Sequence, residues 1–179
     1  DKARSSALLL RALALERSAR PKDAAADFRK IPPGAPEHLL SLYHRAYLAR
    51  LEGDDAAEEK IWDEARRLRP EDATSRLMLV LCWKRAGALA ARVNQIEKES
   101  ADGAGRTGSA ETAPGDVLLE ALALEELNRD EEAARLYAGA FTTEPGNPEA
   151  AGRLRGALGR APDLLRCWLQ APSSPGGSG

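Results

Sequence analysis

Gly103-Ala-Gly105-Arg-Thr-Gly108 carries the letters of a dinucleotide-binding fingerprint. That chemistry needs a strand before the glycines and a helix whose N-terminus faces the pyrophosphate. Here a polar helical stretch precedes the glycines, and Ser109 to Pro114 intervenes before the next helical pattern. The letters therefore predict no nucleotide site, and no Gly-Lys-Ser/Thr phosphate loop occurs elsewhere. His38 and His44 are six residues apart. That is not the i, i+4 spacing that puts two metal ligands on one helical face, so no metal is expected. Cys82 and Cys167 lie far apart and read as semi-buried thiols rather than a disulfide framework. No motif marks a nucleophile or its base, so the expectation is no catalytic residue, no cofactor and no enzyme.

Composition narrows the remaining classes. Lys and Arg number 26 against 28 Asp and Glu, so counterion release would contribute little to nucleic-acid binding, and none is expected. No apolar run reaches the roughly 18 residues of a membrane span, so no membrane insertion is expected. Leu and Ala dominate, and β-branched residues are few, which favours helix.

The helical pattern repeats. Leu8, Ala12, Leu15, Ala24, Phe28 and Ile31 are spaced by 4, 3, 9, 4 and 3 residues. Leu42, Ala46, Ala49, Glu58, Trp62 and Ala65 keep the same spacing, with Glu58 the misfit, and so do Val117, Ala121, Leu124, Ala133, Tyr137 and Ala140. The large position runs Phe28, Trp62, Ile96, Tyr137, with strides of 34, 34 and 41. Arg76, Arg92 and Glu99 also fall at core-pattern places. Pro70 and Pro145 close their units. A 34-residue period of paired helices resembles the tetratricopeptide repeat. Ala24-x-x-x-Phe28 and Ala133-x-x-x-Tyr137 match that family's second-helix core, and Ala12, Ala46 and Ala121 its small position.

The resemblance implies an all-α fold, a right-handed superhelical solenoid of about nine or ten antiparallel helices. Repeats are expected over residues 4–34, 36–70, 71–100 and 114–146, followed by a capping pair over 148–170 that uses Leu165 and Trp168. Residues 100–113 read as an inserted surface loop, with a helix over about 89–99 before it, and 172–179 as a disordered tail. Pro36 is expected in the first turn of the third helix, Gly53 at its end, and Asp54 or Asp55 as the cap that follows. The first helix carries Leu8, Leu9, Leu10, Leu13 and Leu15 around most of its circumference, which predicts cover on two sides and further repeats before it.

In this family the first helices line a concave groove that holds the ligand. Carried through the register, one inward row is Leu9, Tyr43, Leu77 and Leu118, and the other is Leu13, Tyr47, Leu81 and Leu122. A third row, Glu16, Arg50, Lys84 and Glu125, is charged, and His44 adds a donor beside the tyrosines. The Lys, Asn and Arg that clamp a chaperone's C-terminal carboxylate in some members are missing from the two apolar rows, which argues against that ligand. Trp62 and Trp83 read as core. The expected function is a protein-interaction scaffold that takes an amphipathic helix or extended apolar segment of a protein or peptide. The alternatives are a self-assembling segment of a longer array, joined through its ends, and a regulatory domain of a larger protein.

Overall fold

The computed structural model describes residues 2–104, 114–144 and 146–160. All regular structure among them is α-helix, and none of these helices is long and apolar enough to cross a membrane. The chain divides into two compact units, Asp1–Ala88 and Leu89–Gly179. The division falls inside the expected third repeat.

The first unit holds α1 (Lys2–Arg17), α2 (Pro21–Phe28), α3 (His38–Glu52), α4 (Asp55–Leu68) and α5 (Ala73–Arg85), each packed on the next. Local chemistry sets most of the boundaries. Pro21 takes the first position of α2, where its missing N–H costs nothing. Gly53 ends α3 at φ 74°, a left-handed conformation cheap only for glycine. Asp54 then caps α4 by accepting from the Ala57 N–H, and Asp72 caps α5 by accepting from the Ser75 N–H. Helix α3 begins at His38, later than Pro36 suggested. The His38 N–H bonds to the Ala35 carbonyl, which places Pro36 in a turn ahead of the helix.

The second unit holds α6 (Leu89–Ala104), α7 (Pro114–Glu126), α8 (Asp130–Thr143) and α9 (Pro148–Arg160). Helices α7 to α9 pack in succession, and α6 packs on α7. Helix α6 runs five residues past the expected end at Glu99, into the stretch read as a loop. Residues 100–102 contain neither proline nor glycine, so nothing stops the helix before Gly103 in its last turn. The rest of that stretch, Pro145, the expected last helix with Leu165, Cys167 and Trp168, and the tail lie outside the described residues.

Most of the repeating positions are core, while Leu8, Leu15 and Val117 are half-buried. Ala12, Ala24, Phe28, Leu42, Ala46, Ala65, Ala121, Ala133 and Tyr137 are fully buried or within a few per cent of it, as is Trp62. Phe28, Ile31, Ala12 and Ala24 form one cluster with Leu48, so α3 closes over the first helix pair. The polar residues in core slots find partners. Glu58 accepts from the Trp62 indole N–H at 3.3 Å and from Arg85, and the buried Arg76 guanidinium donates to the Pro70 carbonyl. Among the described side chains of α6, Leu89 and Val93 are buried, whereas Ile96 and Arg92 are half-buried and Glu99 is exposed.

Candidate protein-binding surface

In the first unit the first helices of successive pairs lie side by side. Ser6 near the start of α1 donates to Glu37 at the start of α3. Near the end of α1, Glu16 meets His44 Nδ1 at 2.9 Å, so α1 and α3 run parallel. The Tyr43 hydroxyl donates to Asp72 Oδ2, at the cap of α5, over 2.5 Å. Three helices thus form one layer, and α3 is its middle member.

These contacts divide the expected groove residues. Tyr43 is half-buried, tilted against Trp62 with ring centroids 5.3 Å apart. Burial, with the Asp72 hydrogen bond second, pushes its hydroxyl up to about 12, so it remains a donor at any ordinary pH. His44 stacks on Phe28 at 5.1 Å and 13° while it holds Glu16. Both residues join neighbouring helices, so most of their polar capacity is used inside the unit. Leu9, Leu13, Leu77 and Leu81 are half-buried. Leu118 and Leu122, in the second unit, are buried at 2% and 1% exposure. The same register that brings Tyr47 to the surface leaves those two leucines no free face, and they drop out of the site.

What stays open is a stripe on α3. Leu40, Tyr47 and Leu51 are 41%, 48% and 63% exposed. They are seven and four residues apart, which returns to one helical face. Only Tyr47 was among the expected site residues. Leu40 and Leu51 were legible as its neighbours at i−7 and i+4, but both lie outside the two apolar rows. Arg50 and Lys84 are exposed at the C-terminal ends of α3 and α5.

The remaining candidate chemistry is structural. Cys82 is buried, and burial, with the nearby Glu58 charge second, pushes its thiol up to about 11, away from the reactive thiolate. His38 is buried, with Nε2 3.7 Å from Glu64. Among the described residues no group of three or more His, Cys, Asp or Glu side chains is placed to hold a metal ion.

No family model matches the chain, and no curated protein matches it. Solved structures do. The first TPR domain of the human RPAP3 protein aligns at 16% identity and TM-score 0.43, over 74% of this chain and 98% of that one. MamA from Desulfovibrio magneticus RS-1 aligns at 12% identity and TM-score 0.47, over 95% and 98%. YrrB, a TPR protein with an unusual peptide-binding site, aligns at 14% identity and TM-score 0.44, over 90% of each. On its own 34-residue spacing and buried helix-pair positions, the chain has a tetratricopeptide-like fold.

Proposed function

We propose that this chain is a non-enzymatic protein-interaction scaffold, and that the face of α3 receives an apolar segment of a partner protein. The observation that carries this reading is the exposed stripe of Leu40, Tyr47 and Leu51 on a layer otherwise knitted by hydrogen bonds. On the neighbouring helices Leu9 and Leu13 are half-buried against the Phe28 cluster, and Leu77 and Leu81 are half-buried. Tyrosine presents a wide apolar ring with a polar tip, which suits a binding anchor. Burying about 300 Å² of apolar surface here contributes roughly 7 kcal/mol before association costs, enough for a working but moderate affinity.

Selection from a displayed random-peptide library tests this. Enriched peptides should lose binding to Tyr47→Glu/Leu51→Glu and keep it for a control substitution such as Lys98→Glu, with helicity checked by circular dichroism. Equal binding to both variants overturns the α3 assignment.

A second reading is self-association through α1. Leu10 is 68% exposed, in line with the exposed Ala3, Ala7 and Ala14. Sedimentation of wild type against Leu10→Glu separates the two readings: a dimer lost in that variant supports self-association, and a monomer at high concentration opposes it.

A further inference from the structure

Two open faces of the first unit match each other. On α1 the exposed Ala3, Ala7, Leu10 and Ala14 are spaced by 4, 3 and 4 residues. On α3, read backwards from Leu51, the stripe of Leu51, Tyr47 and Leu40 fills three places of that same spacing. The remaining place belongs to His44, which is drawn onto Phe28 and Glu16. Laid antiparallel, the two faces set Leu51 against Ala3, Tyr47 against Ala7 and Leu40 against Ala14, and bring Leu10 over His44. Each large side chain then meets a small or withdrawn one, which lets two helices approach closely. Both faces run the same length, about 16 Å of helix axis. The face on α1 also continues an interface that the molecule already uses. Its places recur 34 residues later as Glu37, Ser41, His44 and Leu48. There the preceding helix pair closes them: Ser6 reaches Glu37, Phe28 and Glu16 hold His44, and Ser41 and Leu48 are 0% and 3% exposed. On α1 the same places are open.

We infer that the segment received by the α3 stripe is helix α1 of a second copy of this chain, lying antiparallel on it. This rests on the reading of the stripe as a docking surface and names its occupant. The two faces differ, so a pair of copies keeps one free face of each kind. Association therefore continues head to tail into open chains of copies instead of stopping at a dimer. An antiparallel pairing of α1 with α1 buries only Leu10 from each copy, whereas this contact buries Leu10 together with Leu40, Tyr47 and Leu51. Its ends bring Arg17 toward Glu37, and Arg4 toward Arg50 and Asp54, so the charges offset one another and the contact is apolar in origin.

Sedimentation velocity of the full chain at concentrations up to about 1 mM tests this. Wild type is expected to form a ladder of oligomers. Leu10→Glu and Tyr47→Glu are each expected to be monomers, with the fold confirmed by circular dichroism. The deciding arm mixes these two variants. Leu10→Glu keeps an intact α3 stripe and Tyr47→Glu an intact α1 face, so the mixture should form one-to-one dimers and nothing larger. A mixture that stays monomeric overturns the inference, as does a wild type that stops at a dimer. Loss of association in only one of the two variants also overturns it, because like faces then meet: α1 on α1 if only Leu10→Glu matters, α3 on α3 if only Tyr47→Glu does. The size match is read by Ala7→Tyr/Tyr47→Ala, which should regain the ladder that Ala7→Tyr alone loses; a double variant without the ladder overturns the antiparallel register. A wild type that is monomeric throughout overturns the inference and leaves the α3 stripe to a different protein, which the peptide selection reads independently.

Discussion

Asp27 shows how a charge is kept inside the first helix pair. It is 3% exposed, and Arg11 holds it from α1 through Nε at 2.5 Å and Nη2 at 2.6 Å, with Lys30 at 2.9 Å. The hydrogen bond from Arg11, then that from Lys30, brings its carboxyl down to about 2 from an ordinary 3.8. A carboxyl depressed by folding adds stability that is fully present above its unfolded value. That increment shrinks as pH falls through about 4 and is gone only below about 2. Asp27→Asn should therefore lower the melting temperature at pH 7 and flatten the acid limb of the stability profile between those values. Thermal melts at a series of pH values read this directly, and an unchanged acid limb would show that the pair contributes nothing. Tyr43 belongs to the same scale. Tyr43→Phe removes one donor from Asp72, which still accepts from the Ser75 N–H and hydroxyl, so the expected cost is about 1 kcal/mol by urea unfolding.

At the scale of the element, the turn between α3 and α4 works as a unit. Gly53 supplies the left-handed residue that ends one helix, and Asp54 begins the next. Gly53→Ala meets no neighbour that would obstruct a Cβ, so its cost is one of backbone conformation, roughly 1–2 kcal/mol. Asp54→Ala loses the hydrogen bond to the Ala57 N–H and should cost about 1 kcal/mol. Hydrogen exchange should locate the loss in the last turn of α3 and the first turn of α4, where both changes act. Helix α4 also shows how an element tolerates a residue that its pattern does not want. Glu58 occupies a slot that Ala24 and Ala133 fill elsewhere, and stays there because Trp62 and Arg85 reach it.

At the scale of the whole molecule, the two units use one register to different ends. Tyr47 and Leu122 hold equivalent places in their repeats, yet Tyr47 is 48% exposed and Leu122 only 1%. Tyr47→Glu should change stability by no more than about 0.5 kcal/mol while removing peptide binding. Leu122→Glu should cost about 3–5 kcal/mol, because it places a charge without a partner in the core. Urea titrations of the two variants, monitored by helicity, settle the contrast; similar losses in both would mean that Tyr47 is a packing residue after all.

The sequence by itself determined the helices and their core, because both follow from short-range rules. Spacing of 4 and 3 residues returns side chains to one face, so Phe28, Trp62 and Tyr137 were legible as interior. Gly53, Asp54 and Pro21 mark boundaries through conformations and hydrogen bonds that span only a few residues. The surface could not be read that way. Whether Leu118, Leu122, Tyr43 and His44 face a partner or their own chain depends on which helices cover them, and that is a property of contacts between residues far apart in sequence. Tertiary packing buried the two leucines, tied Tyr43 to Asp72 and His44 to Glu16, and left Leu40, Tyr47 and Leu51 as the open stripe. It also carried Glu58 and Arg76 into the interior, where Arg85 on the next helix makes the first tolerable and the Pro70 carbonyl, six residues away, the second.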